Sequence, residues 1–382
     1  MLQLTVTRLV ASSALLFGVV LVSPRSPSPP GRVANTLSPT GSLQHPRASH
    51  TASLLADGTV LVAGGFAGSG FELRPYSSTE LFDPASGTFL PGPEMTMARS
   101  GHAAVTLGDG RILLVGGWSG SSGVTNTAEI YNPATRQFSR GGSMAAARGE
   151  CTASLLQDGK VLVTGGVDHS EQALASAEIF DPRSNSFSSV ASMSVPRSQH
   201  TATVLRDGSV LIIGGGSCDC PSRTVWRTAE VYDPSAGKFL PVGSLSEARY
   251  KHTAVPLAEG KVLVAGGSDT RDWRGLLSSA ELYDPTSRSF DGLPSMKASR
   301  FKFPHAAVCL QSGDVFIAGG AAFPELFRSK ERTFVKAAER FDAARYFASA
   351  TLLGDGRVLV VGGYSQGGSG LAATSRAWVY HP

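Results

Sequence analysis

His50-Thr-Ala-Ser-Leu-Leu-Ala-Asp57-Gly58-Thr-Val60-Leu-Val-Ala-Gly64-Gly65 is the stretch whose reading decides the fold. Two short runs of apolar and β-favouring residues flank Asp57-Gly58, and a glycine pair closes the second run. Asp-Gly between such runs marks a hairpin, with the glycine supplying the positive φ of a primed turn. The frame returns at Asp109-Gly110, Asp158-Gly159, Asp207-Gly208 and Asp355-Gly356, with Glu259-Gly260 and Ser312-Gly313 as variants. Glycine pairs begin at Gly64, Gly116, Gly165, Gly214, Gly266, Gly319 and Gly362, a spacing of about 50 residues that belongs to repeat folds. Fourteen residues before each pair stand His50, His102, Cys151, His200, His252, His305 and Ala348, so the register reads as invariant over seven units.

A second hairpin follows in each unit. Ala128-Glu-Ile-Tyr-Asn-Pro133 leads to Gln137-Phe-Ser, and Asp83-Pro84, Asp181-Pro182, Asp233-Pro234 and Asp284-Pro285 lead to Phe89, Phe187, Phe239 and Phe290. Asp or Asn before Pro sets a type I turn. Four antiparallel strands per unit make a blade, so the chain is expected to be all-β, a seven-bladed β-propeller of four-stranded antiparallel blades. In unit six two segments compete for the third strand. Spacing favours Glu325-Leu-Phe-Arg328 followed by Thr333-Phe334, leaving Ala338 to Asp342 as loop. Unit seven stops at Tyr380-His381-Pro382, one strand short, and Thr36-Leu37 stands ten residues before Arg47, where a fourth strand belongs. An N-terminal strand therefore completes the last blade and removes the open sheet edges.

These residues resemble the Kelch family, specifically bacterial Kelch repeats akin to the central propeller of galactose oxidase, over about residues 35–382. The doubled glycine, the Glu-x-aromatic of the third strand and the aromatic of the fourth carry the resemblance. Likeness to galactose oxidase implies copper, a tyrosine radical and a Cys–Tyr crosslink, with some ligands from a β-domain beyond the propeller. Blade seven runs to Pro382, and Tyr380-His381 fills an ordinary third-strand slot, so copper-radical chemistry is not expected.

Outside the repeats, Leu9 to Val22 is an apolar run after Arg8, shorter than the roughly 20 residues that span a bilayer comfortably. The organisation read from this is a signal peptide or N-terminal anchor over 1–24, a Pro/Ser-rich linker over 25–34 and the propeller over 35–382. The chain is expected to be secreted, periplasmic or on the cell surface, with residues 9–22 as a membrane tether if uncleaved. Cys218 and Cys220 share a loop and can form a local disulfide; Cys151 and Cys309 fall at strand positions.

The 382 residues include 44 glycines, 42% hydrophobic and 17% charged residues, with a net charge of +4 and no basic run, which excludes a nucleic-acid partner as the expectation. No Gly-x-Ser-x-Gly, His-Glu-x-x-His or phosphate-binding loop appears. Each unit carries an Arg before its first strand (Arg47, Arg99, Arg148, Arg197, Arg249, Arg300, Arg345), and six carry a third-strand Glu (Glu80, Glu129, Glu178, Glu230, Glu281, Glu325). These read as architecture. Blade seven has Ala348 and Trp378 where others have His and Glu, which predicts that the His and Glu positions interact. Five histidines spread around a ring do not converge on a metal, so neither metal nor cofactor is expected.

The variable loops join the second to the third strand and the fourth to the next first strand, all on one face. They hold Phe71, Arg74, Tyr76, Trp118, His169, Arg223, Trp226, Arg271, Asp272 and Trp273. Tyr76, Trp118, Arg223, Trp226, Arg271 and Trp273 are the expected ligand-binding set, since aromatic and Arg side chains dominate recognition surfaces. The function expected is a monomeric extracytoplasmic module that binds a protein or glycan through this face. The alternative is a carbohydrate-active enzyme with its site at the channel mouth.

Overall fold

The computed structural model describes residues 35–382 apart from 69–72, 219, 221 and 368–369. Residues 1–34 and Phe71 lie outside the described residues. Seven four-stranded antiparallel sheets stand around one axis. In blade one the strands, A to D, are Thr51–Leu54, Val60–Ala63, Thr79–Asp83 and Thr88–Pro91. Blades two to six occupy 103–143, 152–189, 201–241, 253–293 and 307–336, and the A strands of neighbouring blades touch around the channel. Blade six uses Glu325–Arg328 and Thr333–Lys336 as strands C and D. Blade seven combines Ser349–Leu352, Val358–Val361 and Ala377–His381 with Thr36–Pro39, whose Leu37 lies opposite Tyr380. Among the described residues no helix is long and apolar enough to cross a membrane.

Strand B is buried on both sides, which is why it reads as an unbroken apolar run. Alternate side chains face opposite neighbours: Val60 and Val62 pack against Leu359, Val361 and Val379 of blade seven, while Leu61 and Ala63 pack against Ile112, Leu114 and Tyr131 of blade two. Across each C–D hairpin an aromatic pair meets, as in Phe82–Phe89 at 4.9 Å and Tyr232–Phe239 at 4.9 Å.

The A–B turn differs from the expected primed turn. Gly58 N–H donates to Leu55 O and Leu55 N–H to Thr59 O, with Gly58 at φ 86°. That is a three-residue loop, in which a type I turn is followed by one left-handed glycine. Asp57 Oδ1 accepts from Thr59 N–H at 3.0 Å and braces the loop. The Asp-Pro turns gain similarly, Asp83 Oδ1 accepting from Ala85 N–H at 2.9 Å.

Blades are stitched together by backbone. The second glycine of each pair donates its N–H to the carbonyl of the next blade's Arg, from Gly65 to Arg99 O (2.9 Å) through to Gly363 to Arg47 O (2.9 Å). A Cβ on Gly64 would stand 2.4 Å from Arg99 O, so only glycine fits there. The Arg side chain then turns into its own blade. Arg47 Nη1 donates to Gly64 O at 2.7 Å and Nη2 to Glu80 Oε1 at 2.9 Å, while Glu80 Oε2 accepts from Gln44 N–H at 2.8 Å. Five further blades repeat this fully buried pair. Breaking such a pair from one side leaves a buried charge uncompensated, at a cost of about 3–5 kcal/mol. In blade seven Trp378 takes the Glu position; Arg345 stacks 5.0 Å from its ring centroid and pairs with Asp342, from the segment read as loop.

The histidines do not contact the Glu residues, contrary to expectation. His50 Nε2 hydrogen-bonds Ser349 Oγ (2.9 Å), His102 Nε2 hydrogen-bonds Thr51 Oγ1 (2.9 Å) and His252 Nε2 hydrogen-bonds Thr201 Oγ1 (3.0 Å), each in the preceding blade. Where Cys151 and Ala348 replace His, the preceding blades carry Ala103 and Ala306 at the hydroxyl position. The invariant register also fails in blade six. Arg47 precedes Gly64 by 17 residues but Arg300 precedes Gly319 by 19. Phe303, not His305, fills the buried inter-blade position against the Gly266 turn, leaving Thr253 Oγ1 without a partner. The two extra residues are accommodated at Pro304-His305, and His305 is exposed toward the channel.

Candidate functional site at the channel mouth

The residue two places after each Arg has no shared chemistry: Ser49, Gly101, Glu150, Gln199, Lys251, Lys302 and Phe347. All seven adopt left-handed backbone, with φ between 51° and 56°. Each donates its N–H to the carbonyl of the preceding blade's counterpart, and Ser49 donates to Phe347, so seven hydrogen bonds of 2.5–3.4 Å close a circle. Non-glycine residues avoid this backbone region unless their surroundings over-determine it, and here the closed circle does so. The result is a collar around the channel.

Below the collar, a cavity of about 310 Å³ is lined by His50 and by strand-A residues of blades two to five, including Ala104, Ala153, Ala202 and Ala254, together with His305. Above it, a bowl of about 650 Å³ opens on the loop face, lined by collar residues and by Phe66, Arg74, Trp118, Glu171 and Tyr364. Lys251 and Lys302 are only 5% and 9% exposed. Lys302 Nζ donates to Tyr364 Oη at 2.8 Å and lies 4.4 Å from the Trp273 ring centroid and 5.2 Å from that of Phe301. Lys251 Nζ lies 4.6 Å from the Tyr250 ring centroid and 3.7 Å from Asp272 Oδ1, which accepts from Tyr250 Oη at 2.5 Å. Burial raises the Asp272 carboxyl, but Lys251, the Tyr250 hydroxyl, Lys302 and Arg223 outweigh it and hold the group below the usual carboxylate range. On the other side Gln199 donates its side-chain amide to Glu150 Oε2.

The expected loop-face residues divide. Trp118 lines the bowl, held by backbone hydrogen bonds with Ser100 at 2.8 and 3.0 Å. Trp273 backs the bowl wall, edge-on to Phe301 (4.5 Å) and Tyr346 (5.0 Å). Arg223 lies 5.1 Å from the centroid of Tyr250 and so adjoins the same wall. Tyr76 and Trp226 take equivalent places before strand C, where other blades carry Thr125, Leu174 and Leu277; Tyr76 faces Arg47 at 5.3 Å, and Trp226 Nε1 donates to Pro196 O at 2.8 Å. Arg271 is exposed and paired with Asp269 at 2.5 Å. Cys218 and Cys220 are joined by a disulfide in the same loop as Arg223.

Lys251, Lys302, Tyr364, Glu150 and Gln199 were not among the residues expected from sequence. For Lys251, Lys302, Glu150 and Gln199 the signal was an unpatterned position inside an otherwise strict frame, two residues after each Arg; Tyr364 instead follows the last glycine pair.

The comparisons with known proteins agree with this architecture. Residues 31–216 match the family described as the KLHDC2/KLHL20/DRC7 Kelch-repeats domain, and residues 249–297 match the Kelch motif. Two galactose oxidases of Gibberella zeae are 35% identical over 69 residues, a stretch that spans 18% of this chain and 9% of those proteins. A solved structure titled a novel fungal alcohol oxidase of the AA5 family, in complex with copper, shares the fold at a TM-score of 0.67 and 19% identity, over 91% of this chain and 75% of that one.

Copper asks for converging imidazole and phenolate donors. Among the described residues no three His, Cys, Asp or Glu converge. Tyr380 is fully buried, stacked 4.1 Å from Phe316, and donates its hydroxyl to Asn35 Oδ1 at 2.7 Å. The described residues therefore do not fit a copper-radical centre.

Proposed function

We propose that this chain, a Kelch-repeat β-propeller, works as an extracytoplasmic binding module whose ligand, a glycan, seats in the bowl at the channel mouth. The collar carries the proposal. It holds six residue types at seven positions on a closed circle of hydrogen bonds, so that recognition groups vary while their positions stay fixed. Trp118 and Phe66 give the bowl flat apolar surfaces suited to sugar faces, and Ser49, Gln199 and Glu150 give it polar partners for hydroxyls. Export is supported by the apolar run at residues 9–22 and by the Cys218–Cys220 disulfide, which suits an oxidising compartment.

A glycan array with a parallel protein pull-down identifies the ligand class. Trp118→Ala is expected to keep the melting temperature within a few degrees and to weaken binding by about 2 kcal/mol, close to thirtyfold. Undiminished affinity in this variant would place the ligand elsewhere. One observation favours the carbohydrate-active alternative: Glu150 and Glu171 line the same bowl, and glycoside hydrolysis uses two carboxylates. Release of reducing ends from a bound glycan, abolished by Glu171→Gln, would establish it.

A further inference from the structure

The bowl does not end at the collar. Ser49, Gly101, Glu150, Gln199, Lys251 and Phe347 line both the bowl above and the cavity below, so the two spaces meet there. Backbone steps of about 5 Å, the usual spacing of hydrogen-bonded neighbours, give the seven-membered collar a diameter of about 11 Å. Its side chains are smallest at Ser49 and Gly101, in blades one and two. Trp118 stands at that edge: a Cβ on Gly101 would come within 3.5 Å of Trp118 Cδ1 and 3.7 Å of Ser49 Oγ. A sugar ring stacked on Trp118 is thus beside the way down.

Blade six supplies the cavity with a group that the repeat does not require. Its two extra residues leave His305 exposed inside the channel, whereas His50, His102 and His252 are buried and bonded to the preceding blade. His305 contributes to the lowering of His50 and His102, which directly follow Ser49 and Gly101, so its ring lies beneath the same side of the collar. Desolvation keeps it below the ordinary value of 6.5, and a neutral imidazole offers one donor and one acceptor. At the collar itself Gln199 Oε1 is buried without a hydrogen-bond partner among the described residues. A buried acceptor left unsatisfied is costly, and a ligand hydroxyl would satisfy it. The cavity volume, about 310 Å³, stands at the low end of ligand sites and suits one sugar unit rather than a chain. Resting on the reading of the bowl as a glycan site, we infer that the glycan binds end-on: its terminal sugar passes the collar on the Ser49–Gly101 side into the channel cavity and hydrogen-bonds Gln199 and His305, while the adjoining unit lies on Trp118.

Calorimetric titration of the full chain with linear hexaoses of glucose, galactose, mannose and xylose, and with α-cyclodextrin, a closed ring that has no end, tests the inference. At least one linear hexaose is expected to bind and to shift the His305 ring signals in the NMR spectrum, and α-cyclodextrin is expected not to bind. Ser49→Phe closes the small side of the collar, and Phe347 shows that this backbone position carries a phenyl ring. That variant is expected to weaken hexaose binding about tenfold or more, and His305→Ala about fivefold. Leu90→Ser, on the outer strand of blade one, should stay within about twofold. Should Ser49→Phe lower the melting temperature, His305→Ala and the His305 signals carry the test. Hexaose binding that leaves those signals unmoved overturns the inference, as does tight binding of α-cyclodextrin. If Trp118→Ala weakens hexaose binding while Ser49→Phe and His305→Ala do not, end-on binding fails and the bowl remains the glycan site. If no hexaose binds, both fail.

Discussion

At the scale of single residues, the inter-blade histidines tie folding to pH. Burial, assisted by Arg47 and His305, pushes His50 down to about 3, and burial with Arg197 and Arg148 does the same for His200; His102 and His252 also lie well below the ordinary value of 6.5. A histidine that is neutral when folded but titrates near 6.5 when unfolded favours the unfolded chain as pH falls below 6.5, and continues to do so until the folded value is reached. For His50 and His200 that stability is present at pH 7 and lost progressively between about 6.5 and 3. At pH 5 the loss comes to about 2 kcal/mol for each of these two. The natural pair Cys151 and Ala103 shows how the contact can be replaced. His50→Cys combined with Ser349→Ala should lower the stability difference between pH 7 and pH 5, measured by urea denaturation, by about 2 kcal/mol. An unchanged difference would mean that His50 is not buried neutral.

At the scale of elements, the collar is the unit that sequence patterning does not reveal. Six of its seven members are non-glycine residues in left-handed backbone, and only Gly101 takes that conformation without strain. A Cβ at Gly101 would meet Glu150 Cγ at 3.4 Å and Trp118 Cδ1 at 3.5 Å, ordinary contacts, so space is available. Gly101→Ala is then expected to cost only the backbone term, about 1–2 kcal/mol, visible in denaturant unfolding, with the bowl intact. A loss of 4 kcal/mol or more would mean that the collar does not tolerate a side chain in blade two. Blade six teaches a related lesson about counting. Measured from the glycine pair, His305 seemed to continue the histidine series; measured from Arg300, Phe303 does, and the structure follows the Arg because the guanidinium and the inter-blade carbonyl fix the chain there.

At the scale of the whole molecule, closure depends on residues 36–43. Thr36–Pro39 pairs with Ala377–His381, and Leu43 N–H donates to Ser375 O at 2.8 Å. Removing residues 1–30 should leave the melting temperature nearly unchanged, whereas removing residues 1–44 should expose strand C of blade seven and promote aggregation, detectable by light scattering. Equal behaviour of the two truncations would contradict closure by this strand. The seven apolar clusters, each shared by two neighbouring blades, make that closure cooperative, since opening one blade exposes the face of the next.

Blade count, strand order, the C–D hairpin of blade six and the closing strand were all legible in the sequence, because each follows from a local period: Asp-Gly between strands, a closing glycine pair and an aromatic seven places beyond another. Part of the loop face was legible too, since Trp118 and Trp273 stand in connections where strand packing demands no large ring. The histidine partners, the Asp342 substitute for a missing Glu and the lysine wall were decided only in three dimensions. Asp342 stands only three residues from Arg345, but nothing in the repeat marks it as a partner; the other two share one physical reason. They arise between residues some 50 positions apart in the chain that meet through backbone carbonyls or across blade faces, and a backbone hydrogen bond such as Lys302 N–H to Lys251 O leaves no mark on which side chain the position carries.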